Sequence, residues 1–183
     1  MSAPEPIRLV RAELSLLDAA LAGDDALAKA LEHGVVPGWA TFSEALRPAR
    51  DATAESRDGA AWGPRLFLAG DPPELVGWGG FKGPPRDGIV EIGYEIADSR
   101  RRQGLATAAV HAMLVEALAD PDVTEVIAHT LPRGNASNRL LEKAGFEFVG
   151  KAKERDDDVW RYSRAAQRAP GRQNPGPTRT RRN

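Results

Sequence analysis

The chain of 183 residues contains no cysteine. This absence excludes a disulfide framework, a zinc site built from thiolates and any covalent intermediate on a cysteine sulfur. The three histidines, His33, His111 and His129, are scattered and lack the spacing of a metal-binding cluster. We therefore expect chemistry that needs neither redox-active sulfur nor a bound metal.

Long apolar runs and a strong charge imbalance are missing as well. No stretch approaches the roughly 20 apolar residues that a membrane-spanning helix needs. The first residues, Met1 to Pro6, have neither a basic segment nor an apolar core, so no signal peptide is predicted and a cytoplasmic location is expected. The formal net charge of −1 argues against nucleic acid as the main partner of the whole chain.

The charge is nevertheless uneven along the chain. Residues 164–183 contain six arginines and no acidic residue. Such a segment has little apolar surface to bury, so we predict a single domain at 1–164 followed by a basic, disordered tail at 165–183. An arm that contacts phosphate or RNA is the alternative interpretation of this tail.

Turn residues and apolar periodicity predict the order of the structural elements. The predicted elements are a strand at 7–14, short helices running to Leu21 and Leu31, a helix at 41–56, strands at 65–69, 74–81 and 89–97, a helix at 104–120, a strand at 123–130, a helix at 135–144, and strands at 146–151 and 159–163 around an acidic turn at 156–158. The expected N-caps are Ser15, Asp24 or Asp25, and Thr41 or Ser43, and Gly145 is the expected C′ residue of the last helix. Hairpins give antiparallel pairs and a strand-helix-strand crossover gives a parallel pair, so an α+β fold with a mixed sheet is predicted.

The loop after the third of the meandering strands carries the strongest chemical signal. Gly104 stands in a strand-to-helix turn, where free backbone N–H groups and the helix dipole favour an anion such as a pyrophosphate. Arg100, Arg101 and Arg102 add long-range attraction for phosphate. On physical grounds alone, an arginine-rich loop that caps an ordinary helix explains the same residues.

The loop also resembles a known motif. Arg101-Arg-Gln-Gly-Leu-Ala106 fits the pattern Arg/Gln-x-x-Gly-x-Gly/Ala, which marks coenzyme A binding in the GNAT superfamily of N-acetyltransferases. Further segments resemble the RimJ/RimL-type, ribosomal-protein-alanine N-acetyltransferase-like branch: VEIGY at 90–94, ATAAV at 106–110, TLP at 130–132 and NASNRLLEKAGF at 135–146. The resemblance implies a three-layer fold with a mixed, mostly antiparallel sheet of about seven strands flanked by helices.

Membership of this superfamily implies acetyl-CoA as co-substrate and a set of contacts to it, without a metal. The backbone amides of residues 102–107 are expected to hold the pyrophosphate, and the backbone near Ile96 is expected to pair with the pantetheine arm like a neighbouring strand. That pairing requires the sheet to splay between the strands at 89–97 and 123–130. The implied cofactor-binding residues are Ile96, Arg101, Arg102, Gln103, Gly104, Leu105, Ala106, Thr107 and Asn135. Asn138 is an alternative to Asn135 for the cofactor contact, and either asparagine could instead act as a helix N-cap.

Amine chemistry points to a general base. A terminal α-amine has a pKa of about 7.7–8.0 and a lysine about 10.4, so each is mostly protonated near neutral pH and must lose a proton before it attacks a thioester. Glu91 and Glu95 share one strand face, and Glu91 is our predicted base because its Glu-Ile-Gly-Tyr context resembles the family. A solvated or ion-paired strand glutamate is the alternative. His129 is a second candidate for assisting deprotonation, with a packed or exposed histidine at the strand end as its alternative.

Two further features bear on substrate and mechanism. Leu141 stands where many family members have a tyrosine that protonates the leaving thiolate. The tryptophans are expected to pack in the core or to line the cleft, with Trp39 and Trp62 in the region that builds the acceptor wall in this fold.

The resemblance predicts an N-acetyltransferase that moves acetyl from acetyl-CoA to a primary amine, on a protein N-terminus or a small molecule, by direct attack in a ternary complex. A non-catalytic acyl-CoA-binding module and an RNA-associated protein that works through its tail are the alternatives. A homodimer is a further expectation, since dimers are common in this family.

Overall fold

The computed structural model describes residues 6–56, 60–132, 135–154 and 157–166. Nearly all of the predicted tail, residues 167–183, lies outside the described residues, as does residue 156 of the predicted acidic turn.

Eight strands and five helices form the described part of the chain. They are β1 (Ile7–Arg11), α1 (Leu14–Ala22), α2 (Asp24–Leu31), β2 (Gly34–Val35), α3 (Leu46–Glu55), β3 (Pro64–Ala69), β4 (Glu74–Phe81), β5 (Ile89–Ile96), α4 (Leu105–Leu118), β6 (Glu125–Thr130), α5 (Ala136–Lys143), β7 (Glu147–Glu154) and β8 (Asp157–Ala165), with short 3-10 helices at Ser43–Ala45 and Asp98–Arg100. None of the helices among these residues is long and apolar enough to cross a lipid bilayer.

The strands form one mixed sheet in the order β1-β3-β4-β5-β6-β8-β7. Every pair along this path is antiparallel except β5 and β6, which are joined by the crossover helix α4 and run parallel. The predicted fold of about seven mostly antiparallel strands is therefore confirmed. Strand β2 was not predicted; it has only two residues and pairs in parallel with the start of β4.

The two faces of the sheet bury separate hydrophobic clusters. Successive side chains of a strand point to opposite faces, so Leu66 and Leu68 of β3 pack with α1 and α2, whereas Phe67 packs on the side of α4. This two-sided burial explains why all six residues of β3 are buried and why residues 66–69 form a continuous apolar run without alternation. The result is a three-layer arrangement of helices, sheet and helices.

A row of glycines lets β4 approach β5 closely. A Cβ atom at Gly77 would lie 2.2 Å from the carbonyl oxygen of Glu95, and one at Gly79 would lie 2.2 Å from that of Gly93. No side chain fits at such a distance, so these glycines fix the position of β5 against its neighbour. Strand β5 is the element that carries the predicted base.

The first three helices begin differently from the prediction. The N-caps are Glu13, Gly23 and Ala45 rather than serine, aspartate or threonine, and none makes a side-chain capping hydrogen bond. In α1 the amides of Leu16 and Leu17 both donate to the carbonyl of Glu13, so the helix starts before Ser15.

Of the other predicted helix and strand boundaries, some are confirmed and some are wrong. In α3 the 3-10 turn at Ser43–Ala45 takes the place of the expected cap, whereas the prediction of Gly145 as C′ residue of α5 is confirmed by its φ of 82°. The acidic turn was placed too late, since Asp157 and Asp158 already belong to β8.

Candidate active site

Strands β5 and β6 form a fork. They pair from Ile89–Ile92 with Glu125–Ala128, and beyond that point β6 stays with β8 while β5 stays with β4. The predicted splay of the sheet at this place is confirmed. The first residue of β6 past the branch point is His129, and the corresponding residues of β5 are Gly93 to Ile96.

The fork leaves backbone groups of β5 without a strand partner. The amide of Lys82 donates to the Glu91 carbonyl and the amide of Ala97 donates to the Val76 carbonyl, so the odd-numbered residues of β5 bond to β4. The backbone groups of Tyr94 and Ile96 therefore point to the other side, into the fork. An extended chain of amides lying there could pair with this edge as a strand does.

The loop before α4 has the geometry of an anion site. Arg102 and Gly104 both adopt left-handed backbone conformations, with φ of 62° and 81°. Helix α4 begins at Leu105 with no side-chain cap, and its first-turn amides have no acceptor within the helix. Residues 101–104 are exposed, so these N–H groups are open to a phosphate. The residues present fit the pyrophosphate of coenzyme A.

The predicted loop residues contribute in different ways. The Arg101 side chain pairs with Asp98 at 2.7 Å and donates to the Ile96 carbonyl at 3.2 Å, which occupies one of the groups expected to face pantetheine. Arg100 pairs with Glu74 at 3.1 Å. The side chain of Leu105 is buried in the core, so this residue offers only its amide to the loop. Among the described residues, no ion-pair partner of Arg102 is recorded, and its guanidinium is exposed beside the loop.

The remaining predicted loop residues lie in the same turn. Gln103 is exposed between Arg102 and Gly104, while Ala106 and Thr107 are half-buried in the first turn of α4. At such a helix start the backbone amides, rather than the side chains, are the groups that an anion contacts.

The two candidate asparagines form the N-terminal cap of α5. The side chain of Asn135 accepts from the Asn138 amide, and the side chain of Asn138 accepts from the Asn135 amide. Asn138 is buried and also donates to Thr130 at 2.7 Å, which leaves it no access to a cofactor. Asn135 donates to the Leu131 carbonyl at 3.1 Å, and within the described residues its second amide hydrogen has no recorded acceptor. A contact from Asn135 to coenzyme A stays a prediction.

Glu91 lies at the centre of a cluster of charged groups at the branch point. Its Oε1 atom is 2.9 Å from Nδ1 of His129 and 2.6 Å from Nζ of Lys82. Lys82 also reaches Oε1 of Glu154 at 2.6 Å. The four side chains come from the end of β4 and from β5, β6 and β7. We call Lys82, Glu91, His129 and Glu154 the fork cluster.

Lys82 is the permanent cation of the fork cluster. Burial lowers the pKa of Lys82, but hydrogen bonds from its ammonium group to Glu154 and Glu91 outweigh this effect and the net pKa is raised. The ammonium group is therefore charged throughout the physiological range. Glu91, His129 and Glu154 have ligand atoms within 4.8 Å of one another, a spacing that could hold a metal ion. In this structure the Lys82 ammonium group takes the place that such an ion would need, between the two carboxylates.

Glu95, four residues further along β5, has very different partners. It accepts from the indole N–H of Trp78 and, at 3.3 Å, from the backbone amide of Phe42. Among the described residues, no cation pairs with Glu95. Trp78 stacks edge to face on Trp39 with 6.2 Å between ring centroids, and Phe42 is 58% exposed. The carboxylate of Glu95 thus lies beside an aromatic wall.

The two tryptophans expected near the acceptor wall, Trp39 and Trp62, lie in different places. Trp39 is buried beside this wall, whereas Trp62 packs on Phe81 at 5.0 Å against the other core cluster. Leu141, at the position expected for an acid, is fully buried. Tyr94 is a phenol on β5 whose pKa is raised to about 12 by burial, so it is neutral at physiological pH.

Sequence reasoning missed Lys82 and Glu154. Nothing in the local sequence of either residue indicates a site, because they join Glu91 and His129 only through strand pairing. The single available signal was the cross-strand position of Lys82 opposite Glu91, which requires the register of the β4–β5 hairpin to be known.

Comparison with known proteins gives a consistent result. Residues 7–147 match the family model described as an acetyltransferase (GNAT) domain. The uncharacterized N-acetyltransferase YjdG of Bacillus subtilis (strain 168) is 29% identical over 151 residues, which cover 81% of this chain and 90% of that protein.

Solved structures with the same fold include proteins with known acceptors. The RimL ribosomal L7/L12 α-N-protein acetyltransferase in complex with coenzyme A is 21% identical, with 87% and 94% of the two chains covered and a TM-score of 0.63. The ribosomal-protein-S5-alanine acetyltransferase of Vibrio fischeri is 15% identical, with 91% and 96% covered and a TM-score of 0.61. The aminoglycoside acetyltransferase AAC(6')-Ib, also in complex with coenzyme A, is 20% identical, with 89% and 95% covered and a TM-score of 0.58.

Proposed function

The chain belongs to the GNAT family of acetyl-CoA-dependent acyltransferases, and from this premise we propose that it transfers an acetyl group from acetyl-CoA to a primary amine by direct attack in a ternary complex. The observation that carries the proposal is the fork between β5 and β6, with an anion-binding loop at one end and the fork cluster at the other. A donor that spans the two would present its thioester near groups able to take a proton.

Each part of the donor has a matching part of the chain. The amides of residues 102–107 and the Arg102 side chain would hold the pyrophosphate. The backbone groups of Tyr94 and the amide of Ile96 would pair with the pantetheine arm, while the Ile96 carbonyl accepts from Arg101. Asn135, at the start of α5, would donate its remaining amide hydrogen to the same ligand. When bound, acetyl-CoA supplies an activated acyl group, and the chain supplies position, charge and a proton acceptor.

The acceptor must lose its positive charge before it attacks. Glu91 and His129 lie together at the branch point, where β5 and β6 separate, and are the groups placed to assist this step. An acceptor arrives as an ammonium ion near neutral pH, and a carboxylate without a cationic partner attracts it. Glu95 meets this description, and the exposed ring of Phe42 beside it suits the apolar part of an amine.

The class of acceptor is a primary amine, either at a protein N-terminus or in a small molecule. Proteins of the same fold include acetyltransferases named for ribosomal proteins and for aminoglycosides. Both groups of acceptors are cationic, which agrees with the unpaired charge of Glu95.

Thiol release tests the proposed function. Purified protein and acetyl-CoA are mixed with peptides that have free N-termini, polyamines, amino acids and aminoglycosides, and the binding of coenzyme A is followed by calorimetry. We expect binding without added metal and release of thiol that depends on one class of amine. Tight binding with no release for any amine would favour a non-catalytic acyl-CoA-binding module, and no binding would refute the assignment of the loop.

The anion-binding loop can be tested on its own. Gly104→Val places a branched side chain at a left-handed position, which costs about 1–2 kcal/mol and should relax the loop. We expect coenzyme A to bind about tenfold more weakly, as measured by calorimetry. Gly38→Val is the matched control, because Gly38 has a φ of 75° with open space around it and lies outside the loop. Equal affinity in both variants would contradict the assignment.

A further inference from the structure

The fork cluster contains two candidate bases in direct contact, and its geometry distinguishes between them. Nδ1 of His129 is 2.9 Å from Oε1 of Glu91. An ionised carboxylate only accepts hydrogen bonds, so Nδ1 carries the proton and donates it. The other ring nitrogen, Nε2, is then the acceptor of the neutral imidazole. Among the described residues, no partner of Nε2 is recorded.

The same contacts make Glu91 a poor receiver of a proton. Its Oε1 atom already accepts from both Lys82 and His129, and the Lys82 ammonium group lies only 2.6 Å away. Protonation of Glu91 would weaken both contacts at once, so the geometry places Glu91 to orient a histidine.

The position of His129 fits the reacting end of the donor. It is the first residue of β6 beyond the pairing with β5, and its side chain is 15% exposed. On its other side, its antiparallel partner in β8 is Arg161, whose guanidinium is 3.9 Å from Glu125. The charged groups around the imidazole are thus Lys82, Glu91, Glu154 and Arg161, from four different strands or strand ends.

We propose that His129 is the catalytic base of the reaction and that Glu91 and Lys82 are positioning residues that fix its tautomer and charge environment. This inference rests on the proposed acetyl transfer. Among the described residues, Nε2 of His129 is an acceptor atom with no recorded partner, whereas Oε1 of Glu91 already accepts from two donors, so the histidine is the group placed to take a proton.

The proposed reaction forms a carbon–nitrogen bond and breaks a carbon–sulfur bond. Nε2 of His129 takes one proton from the ammonium group of the acceptor, and the lone pair of the resulting neutral amine forms a bond to the carbonyl carbon of the thioester. The carbon–sulfur bond breaks with its electron pair on sulfur, and the thiolate takes up the second proton that the nitrogen loses, directly or through water. The products are an amide and a free thiol, and His129 returns to its neutral form by releasing its proton to solvent.

The test is the pH profile of kcat at saturating acceptor, measured for wild type, His129→Gln, Glu91→Gln and Lys82→Met. This profile reports groups that titrate in the complex. In wild type we expect an acidic limb, the range in which kcat falls as the pH is lowered. Because Lys82 stays charged and Tyr94 stays neutral over this range, neither of them produces the limb.

The three variants should act differently on this limb. His129→Gln should lower kcat about 100-fold or more and remove the limb. Glu91→Gln should lower kcat about tenfold and move the limb to lower pH, because the neutral amide still accepts from Nδ1 but no longer stabilises the imidazolium. Lys82→Met should move the limb to higher pH, because a cation that opposes the imidazolium is gone.

The controls separate chemistry from folding and from the proposed function. His111→Gln, on the exposed face of α4, should leave the profile unchanged. Thermal unfolding and calorimetric binding of coenzyme A show whether each variant is folded. If His129→Gln does not fold, the directions in which Glu91→Gln and Lys82→Met move the acidic limb still show whether His129 is the base.

Two results would overturn the inference. A limb that disappears in Glu91→Gln and persists in His129→Gln would make Glu91 the base. A full rate and an unchanged limb in His129→Gln would remove the histidine from the mechanism. In both cases the acetyl transfer by wild type would stand, whereas a wild type without any thiol release would refute the proposed function itself.

Discussion

The two carboxylates on the open face of β5 lie in opposite surroundings. Glu91 contacts a lysine and a histidine, whereas the contacts of Glu95 within the described part of the chain are with the N–H groups of a tryptophan and of the backbone. Four residues of strand separate them by about 13 Å. The difference teaches that neighbouring strands can give two glutamates on one strand face opposite electrostatic surroundings, and we propose that one end assists proton transfer while the other attracts a cation.

Gly93 lies midway between these carboxylates and leaves a gap on the face. A Cβ atom there would meet only Cε of Lys82, at 3.7 Å, within a radius of 4 Å. Gly77 and Gly79 of β4 have a different role, since a Cβ at either would collide with the backbone of β5. Gly93 therefore leaves open space on this face, which we propose the acceptor occupies, whereas the glycines of β4 make room for a strand.

Filling the gap should produce the largest effect. Gly93→Leu would place a side chain between the two ends of β5, and we expect kcat/KM for the acceptor to fall about 100-fold or more, since small misplacements of reacting groups cost this much. Gly93→Ala should cost about tenfold or less. Steady-state kinetics check the series, and thermal unfolding checks that the strand is intact. Full activity of a folded Gly93→Leu variant would contradict an acceptor path across this face.

Removing the charge of Glu95 should have a smaller effect on a different parameter. Glu95→Gln keeps an acceptor for Trp78 and Phe42 but loses the attraction for an ammonium ion, so the KM of a cationic acceptor should rise about tenfold, equivalent to about 1.4 kcal/mol. We expect kcat to change less than about threefold. Glu147→Gln, exposed on β7, is the control. An unchanged KM would show that the acceptor binds elsewhere.

The phenols should have the smallest effect, confined to high pH. Burial raises the pKa of Tyr94 to about 12 and also raises the pKa of Tyr162, so neither should ionise near pH 10 in the folded protein. The neutral phenols are favoured by folding, so stability should fall as the pH rises from about 10 towards 12. Ultraviolet absorbance of phenolate, followed with the unfolding midpoint, checks this. Ionisation of both tyrosines near pH 10 would contradict it and would reopen a role for Tyr94 in the pH profile.

Much of the fold and the local half of the candidate site could be predicted from the sequence. The loop at 101–106 is contiguous in sequence, so its residue types alone predict a strand-to-helix turn with free amides. The alternation of side chains along β5 likewise predicts that Glu91 and Glu95 share one face. The splay next to this strand followed from the family resemblance. Element order was predictable because Gly and Pro mark the turns between apolar segments.

The other half of the site required three-dimensional pairing. The fork cluster joins residues as distant in sequence as Lys82 and Glu154, and only the sheet order brings them together. The contact of Glu95 with Phe42 crosses 53 residues and depends on the path of an irregular segment before α3. The helix starts were missed because backbone geometry, rather than a capping side chain, determines where α1 and α2 begin.

The comparison between the two ends of β5 is tested most directly by the kinetics of Glu91→Gln and Glu95→Gln with a single cationic acceptor and acetyl-CoA. We predict that Glu91→Gln lowers kcat with little change in acceptor KM, and that Glu95→Gln raises acceptor KM with little change in kcat. If both variants change the same parameter by the same factor, or if Glu95→Gln lowers kcat more than Glu91→Gln does, the division of labour along β5 is wrong.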